Sequence, residues 1–383
     1  MPMAQGQTVP SQPAIVTPRV VAFDWMRGLV MVLMTIDHAS EMFNAGRFVS
    51  DAYFLYKPGT PLPVVQFLVR WVTHLCAPTF VFLAGASLAL STMKRLKAGE
   101  SEASIDRSIV IRGLLIAALD PLWMSWAFTP GMILLQVLFA IGASFVCMVP
   151  LRRLGSGTLA CLALGLMLFG EAMIGALLKH FGGSLPLPLA LLLSGGIFGK
   201  LIIGYPLLPW LAVMMLGWVF GRHLPLQQPA PMPSQWLRTG GSLALAIFAI
   251  VRGMNGYGNL LLLRDDQSLV QWLHVSKYPP SLSFYALELG LMALLLSFLF
   301  RWQQRQRANP TGLFLVLGQT AFFFYLLHGH LLLLAAWSLG VSHQRGLPET
   351  FIAAGAAIGL LYPCCRWYRG YKADHPNGWA RYI

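Results

Sequence analysis

Charge is what this chain has least of. Only 11% of its 383 residues are charged, against roughly 25% in a soluble domain, and just 14 are acidic. That scarcity excludes an ordinary soluble enzyme. Cysteine is sparse and uninformative. Cys76, Cys147, Cys161, Cys364 and Cys365 lie in or beside apolar runs with no metal-ligand spacing, so neither a zinc site nor a disulfide framework is expected. They read as small apolar core residues. No basic segment followed by an apolar one opens the chain, so a cleaved signal peptide is not expected. A phosphate loop, a dinucleotide-binding glycine pattern, an HExxH helix and a Gly-x-Ser-x-Gly elbow are all missing. A cofactor held by a soluble subdomain is therefore not indicated, no metal is expected, and no internal repeat is evident.

What is there is hydrophobic: 56% of the chain. The reading is an all-α, polytopic membrane bundle. Ten apolar segments are long enough to span, at 20–43, 64–93, 108–128, 131–150, 156–178, 204–222, 239–256, 282–301, 312–340 and 349–368. A short Gly-rich run at 187–203 reads as re-entrant or as an eleventh helix. Residues 1–18, polar and rich in Pro, Gln, Ser and Thr, read as a disordered cytoplasmic tail. Residues 373–383 read as a second short tail, leaving 19–372 as one transmembrane domain. The net charge of +13 does not indicate nucleic acid, because the basic residues sit in short clusters between apolar runs. With the N-terminus inside and ten spans, seventeen Lys and Arg fall on the inner side and eight on the outer. That bias places both termini in the cytoplasm.

The chain is organised around residues 23–38, FDWMRGLVMVLMTIDH. This apolar segment carries Asp24, Arg27, Asp37 and His38, and ionisable groups in a membrane segment read as functional by default. Arg27 follows Asp24 by one helical turn, which suits an ion pair. His38 follows Arg27 by eleven residues, which returns to within about 20° of the same helix face, roughly 16 Å further along. One face thus presents an Asp–Arg pair near one end and a histidine near the other, an arrangement suited to a site reached from both sides of a membrane. The alternative is a structural ion pair with an interfacial histidine.

Other polar residues can join this face. In the second segment Arg70 and His74 are one turn apart, Pro78 predicts a kink, and Gly85, Ala86 and Ser87 allow close helix packing. Asp120 precedes Pro121, where a freed carbonyl makes a polar niche. Arg252 and Asn255 lie one turn apart near an outer boundary. His274 and Lys277 lie in a proline loop, HVSKYPPS, suited to an anionic or sugar ligand. Tyr325 and His328 share a face as a second polar wall, while His330 points elsewhere.

In order along the chain stand RVVAFDWMRGLVMVLMTIDHAS, HLCAPTFVFLAGASLAL, YPLLPWLAVMMLGWVFG, RGMNGYG, SKYPPSL and GQTAFFFYLLHGHLLL. Together these blocks resemble the bacterial membrane proteins related to heparan-α-glucosaminide N-acetyltransferase, from about Arg19 to the C-terminal YPCCRWYRGYKA. The spacing of Arg27 and His38 is also similar to that of the type 3 membrane acyltransferases. The resemblance implies O- or N-acyl transfer in a bacterial inner membrane. Cytoplasmic acyl-CoA, acetyl-CoA above all, would serve as co-substrate and no cofactor would be permanently bound. The acceptor would be a glycan or amino sugar at the outer face. It implies Arg27 on the donor path, held by Asp24, with phosphates met by Lys94–Lys97 and Arg152–Arg153, and His38 as catalytic base. The animal lysosomal enzyme has an asparagine where this chain has Asp37-His38, and its active histidine lies in the following segment. The choice between His38 and His74 therefore stays open, as does a covalent acetyl-histidine. Asp37 is a catalytic candidate beside His38 and His74, though about 100° round the helix from His38 it is a poor orienter unless the helix unwinds there. Expected substrate-binding residues are Asp24, Arg27, Arg70, Asp120, Arg252, Asn255, Tyr325 and His328. Beside the bilayer, acyl-CoA and acceptor, a homo-oligomer is left open. The competing function is a polytopic transporter, which would move solute without cleaving a thioester.

Overall fold

The computed structural model describes residues 20–224 and 232–375. The expected tail at 1–18 lies outside them, as does the end of the expected 373–383 tail. The described chain is mostly helical. Its principal helices are α1 (Val21–Phe43), α2 (Val64–Thr73), α3 (Cys76–Lys97), α4 (Glu102–Leu119), α5 (Val137–Leu151), α6 (Ser156–His180), α7 (Leu207–Arg222), α8 (Met232–Met254), α9 (Leu282–Arg305), α10 (Leu313–Gln319), α11 (Ala321–Ser338) and α12 (Leu347–Asp374).

Among the described residues, seven helical segments are long and apolar enough to cross a membrane: Val64–Lys97, Glu102–Phe128, Ser156–His180, Pro233–Met254, Leu282–Arg305, Ala321–Ser338 and Leu347–Asp374. The other expected spans are α1, whose sequence carries Asp24, Arg27, Asp37 and Glu41, and two shorter apolar helices, α5 and α7. Large apolar side chains such as Leu164, Phe169, Leu243, Ile250, Ile352 and Leu360 are exposed on the outer helices. That distribution suits a bundle whose surrounding solvent is lipid. By contrast α1 is enclosed, packed against α3, α9, α10, α11 and α12.

Glycines set the closest packing. A Cβ at Gly28 would stand 1.9 Å from the Phe314 carbonyl oxygen, and one at Gly318 would stand 1.7 Å from that of Asp24. The two contacts make α10 run antiparallel to α1 with backbones touching. Gly85 of α3 and Gly217 and Gly221 of α7 do the same for a parallel pair, where added Cβ atoms would meet backbone oxygens at 2.0–2.4 Å. The small residues expected to allow close packing therefore do so.

Three expected helices are broken. The 64–93 segment breaks at His74–Leu75. Pro78 cannot donate to the carbonyl four residues back, which belongs to His74, and its ring crowds that carbonyl. The 312–340 segment breaks at Thr320, whose backbone leaves helical geometry while its hydroxyl donates to the Val316 carbonyl at 2.9 Å. The 131–150 segment starts as a strand. A small sheet is the departure from an all-α fold: β1 (Ile133–Leu135) lies parallel to β3 (Leu201–Ile203), which pairs antiparallel with β2 (Gly196–Phe198). The Gly-rich 187–203 run supplies that hairpin after a short π-helical turn, Ala190–Ser194. It is not an eleventh helix. Finally, α12 continues to Asp374, past the expected tail boundary.

The chain alternates so that one end of the bundle gathers the start of α1 and the ends of α3, α5, α7, α9 and α12, the basic end. The other, the loop end, carries 44–63, the sheet and 257–281.

Candidate functional site

Two cavities lie inside the bundle and share a wall. The basic-end cavity, about 320 Å³, is lined by Arg27, Ser87, Arg112, Gln319 and Lys372 among apolar side chains. The loop-end cavity, about 240 Å³, is lined by Asp37, His38, Asp51, Arg70, Lys277 and Tyr278, with others. Phe80, Val137 and Tyr325 line both. Helix α1 therefore reaches both cavities from one face, Arg27 into one and His38 into the other, as the eleven-residue spacing predicts.

At the basic end Arg27 is held on several sides. Its Nη1 donates to Asp24 Oδ1 at 3.4 Å, and its Nη2 donates to the Leu83 carbonyl at 3.3 Å and to the Ser87 hydroxyl. Gln319 Nε2 donates to the other Asp24 oxygen at 3.3 Å. The lining residues include the cations Arg27, Arg112 and Lys372 and no carboxylate. The arginines among the expected phosphate ligands are ion-paired. Arg95 is paired with Glu100 at 2.5 Å, and Arg152 and Arg153 are paired with Asp106 at 2.8 and 2.6 Å. Neither the Lys94–Lys97 cluster nor Arg152–Arg153 lines this cavity.

At the loop end His38 is 9% exposed, and its Nδ1 lies 2.7 Å from Nε2 of His328. The His328 Nδ1 lies 2.8 and 3.1 Å from the carbonyl oxygens of Tyr325 and Phe324. Carbonyls only accept, so His328 Nδ1 carries a hydrogen. In the neutral pair its Nε2 is then the acceptor, and His38 must donate from Nδ1. That fixes the His38 tautomer and leaves its Nε2 with an uncommitted lone pair. The orienting partner is thus His328, from α11.

Asp37 is turned away from this role. It accepts from Arg70 Nη1 at 2.7 and 2.5 Å and pairs with Arg47 at 3.4 Å. Arg70 also meets Asp51 through Nε at 2.9 Å and Nη2 at 2.7 Å, and donates to the Tyr278 hydroxyl at 3.3 Å. His74, the rival base, lies 3.1 Å from Asp51 through Nε2. It is fully buried and does not line either cavity. Of the two histidines, His38 lines the cavity and His74 does not. Asp51 sits in the loop between α1 and α2. Burial opposes its charge, but the Arg70 guanidinium and the His74 hydrogen bond outweigh burial and hold its carboxyl below the usual range. Lys277 is only 3% exposed and lines the cavity, with its ammonium over the Tyr278 ring at 5.2 Å.

Asp24, His74, Asp120, Arg252, Asn255 and His328 line neither cavity; of these, Asp120, Arg252 and Asn255 are spent on backbone groups. Asp120 accepts the backbone N–H groups of Gln136 and Phe139 at 2.8 and 2.7 Å, closing the start of α5. Arg252 is buried and donates to the carbonyls of Leu262, Gln271, Trp272 and His274. Asn255 brackets the Arg264 backbone at 2.7 and 3.1 Å. These two fold the loop that carries Lys277 and Tyr278; they do not face a ligand. Asp51, Arg47 and Tyr205, all in the cavity wall, were missed. The only signal for Asp51 was that it is the single acid between α1 and α2. No group of three or more metal-ligating side chains forms among the described residues.

A family model described as heparan-alpha-glucosaminide N-acetyltransferase, catalytic, matches residues 19–252. No curated protein matches the chain. The matched region contains Arg27, His38, Arg70 and His74 and stops before Lys277, Tyr325 and His328.

Proposed function

Because this chain belongs to the heparan-alpha-glucosaminide N-acetyltransferase catalytic family, we propose that it transfers an acyl group, acetyl above all, across a bacterial inner membrane. The donor is acyl-CoA entering the basic-end cavity from the cytoplasm, where both termini lie. The acceptor is an amine or hydroxyl of a sugar or envelope glycan in the loop-end cavity. The observation that carries this reading is the His38 tautomer, set by His328 so that a free Nε2 belongs to a cavity beside the shared wall.

The geometry supports a role for each group. Arg27, Arg112 and Lys372 give the donor cavity a lining with three cations and no carboxylate, which suits the phosphates of a CoA ester. Asp24 and Ser87 hold Arg27 in place. His38 Nε2 takes a proton from the acceptor as the acceptor attacks the thioester carbon. The carbon–sulfur bond then breaks, and the protonated histidine returns the proton to the departing CoA thiolate. Such general-base help is worth about 10²–10⁴ in rate. Arg70 holds α1 and the 44–63 loop together through Asp37 and Asp51, so it shapes the acceptor cavity.

The test is thioester consumption by the purified full chain in nanodiscs, with acetyl-CoA and a pool of amino sugars and envelope glycans. The expected result is cleavage by the wild type and loss of about 10²–10⁴ in rate for His38→Ala, with folding retained. Solute movement without thioester cleavage would overturn the reading in favour of a transporter.

A further inference from the structure

The wall between the two cavities is made in part by Phe80, Val137 and Tyr325. Of the three, only Tyr325 has a side-chain hydrogen-bonding group. Its ring is 5% exposed and its hydroxyl is buried with no hydrogen-bond partner. An unpaired buried hydroxyl is costly, and a partnerless group in a native interior calls for an explanation. The other two tyrosines of the loop-end cavity are engaged: Tyr278 accepts from Arg70, and Tyr205 is hydrogen-bonded to Tyr278. Tyr325 is also tied to the proposed base. Its carbonyl oxygen fixes His328 Nδ1 at 2.8 Å, His328 orients His38 at 2.7 Å, and the Tyr325 and His38 rings lie 6.4 Å apart edge to face.

Resting on the acyltransferase reading above, we infer that Tyr325 is a catalytic residue whose hydroxyl donates a hydrogen bond to the thioester carbonyl oxygen as that oxygen becomes negative. A donor in one cavity and an acceptor in the other can meet only at the shared wall, so the carbonyl carbon must come there. As the acceptor nitrogen or oxygen bonds to that carbon, the carbonyl π electrons move onto oxygen and His38 Nε2 takes the acceptor's proton. The oxyanion then sits against the Tyr325 O–H. When the carbon–sulfur bond breaks, the carbonyl reforms, the thiolate takes the proton from His38, and the Tyr325 proton has not left its oxygen. A fixed donor aimed at developing charge in a water-poor site needs no reorganisation at the moment of reaction. The wall position also explains the missing partner in the resting protein, since the ligand supplies it.

The variant to make is Tyr325→Phe, which keeps the ring in the wall and removes only the hydroxyl. With the full chain in nanodiscs, acetyl-CoA as donor and glucosamine as probe acceptor, kcat should fall by about 10²–10³, the cost of removing one oxyanion donor. KM for acetyl-CoA should stay unchanged. The melting temperature should not drop, because no protein hydrogen bond is lost. A second measurement does not depend on the acceptor. Infrared spectra of bound acetyl-CoA, isotopically labelled at the thioester carbonyl, should show that band at lower frequency in the wild type than in Tyr325→Phe. An unchanged kcat, or the same carbonyl band in both proteins, overturns the assignment while leaving the acyltransferase standing. Failure of the wild type to bind acetyl-CoA at all overturns both.

Discussion

The two cavities are built from the same helix but differ in their electrostatics. The basic-end cavity has three cations in its lining and no carboxylate. The loop-end cavity has Asp37, Glu41 and Asp51 set against Arg47, Arg70 and Lys277, so its charges balance. The first lining is supplied by helices. The second draws Arg47, Asp51, Lys277 and Tyr278 from connecting loops. A chamber whose charged lining is all cationic recognises charge and needs little shape. A balanced one has its ions set against each other, and so it fixes shape and leaves recognition to uncharged groups such as His38 Nε2. The matched region contributes to both cavities, with Arg27, Ser87 and Arg112 in one and Asp37, His38 and Arg70 in the other, while Gln319 and Lys372 of the first and Lys277 and Tyr278 of the second lie beyond it.

The comparison can be broken most violently at Arg70. Replacing it with Met leaves Asp37 and Asp51 as buried carboxylates without their shared cation. Loss of about 3–5 kcal/mol of stability is expected, as for one partner of a buried ion pair, read as a fall in thermal unfolding temperature in detergent. Binding of acetyl-CoA to whatever remains folded should survive, since the donor cavity does not contain Arg70. Next in size is Arg27→Gln. It should raise the KM for acetyl-CoA by about tenfold, the low end for a hydrogen bond to a charged group. Little change in kcat is expected, because the interaction is made equally in ground and transition states. A kcat loss with unchanged KM would move Arg27 from binding to chemistry.

The smallest effect sharpens the loop side of the comparison. His274 is buried and held neutral: burial pushes its imidazole below the ordinary range, the Arg252 cation pushes the same way, and the Ser50 carbonyl at 2.6 Å opposes. A group whose folded pKa is depressed contributes stability above its unfolded pKa, which is lost as pH falls through the folded value. The loop end should therefore weaken as pH drops below about 6.5, the ordinary histidine value. Asp51 should contribute nothing to that change until the pH is far lower, since its own depressed pKa puts its window below about 3.9. Hydrogen exchange of 257–281 between neutral and mildly acidic pH would register the difference, and His274→Gln should flatten it.

Much of this was legible in the sequence, and the rest was not for identifiable reasons. The shared face of Asp24, Arg27 and His38 follows from helical periodicity alone, and the structure keeps it. The kink near Pro78 follows from a missing N–H. What periodicity cannot reveal is which distant residue a polar group will meet. Asp37 is adjacent to His38 in sequence, yet it belongs to Arg70 and Arg47, and the true neighbour of His38 is 290 residues away. Asp120 is expected at a polar niche because Pro121 frees a carbonyl beside it; its partners are the backbone N–H groups of Gln136 and Phe139 at the start of the next helix. Arg252 looked similar and is spent on loop carbonyls. The break at Thr320 carries no proline, and the strand at Ile133–Leu135 is three residues long, too short for alternation to register.

The shared wall has one further consequence, for permeability. A membrane that stores an ion gradient cannot tolerate a continuous column of water through any of its proteins. Two hydrated chambers that met end to end would make such a column. Phe80, Val137 and Tyr325 interpose two apolar side chains and an aromatic ring between them. On the acyltransferase reading, the wall keeps the two chambers from joining into a water column, and the proton that moves in each turnover is the one His38 hands from acceptor to CoA thiolate.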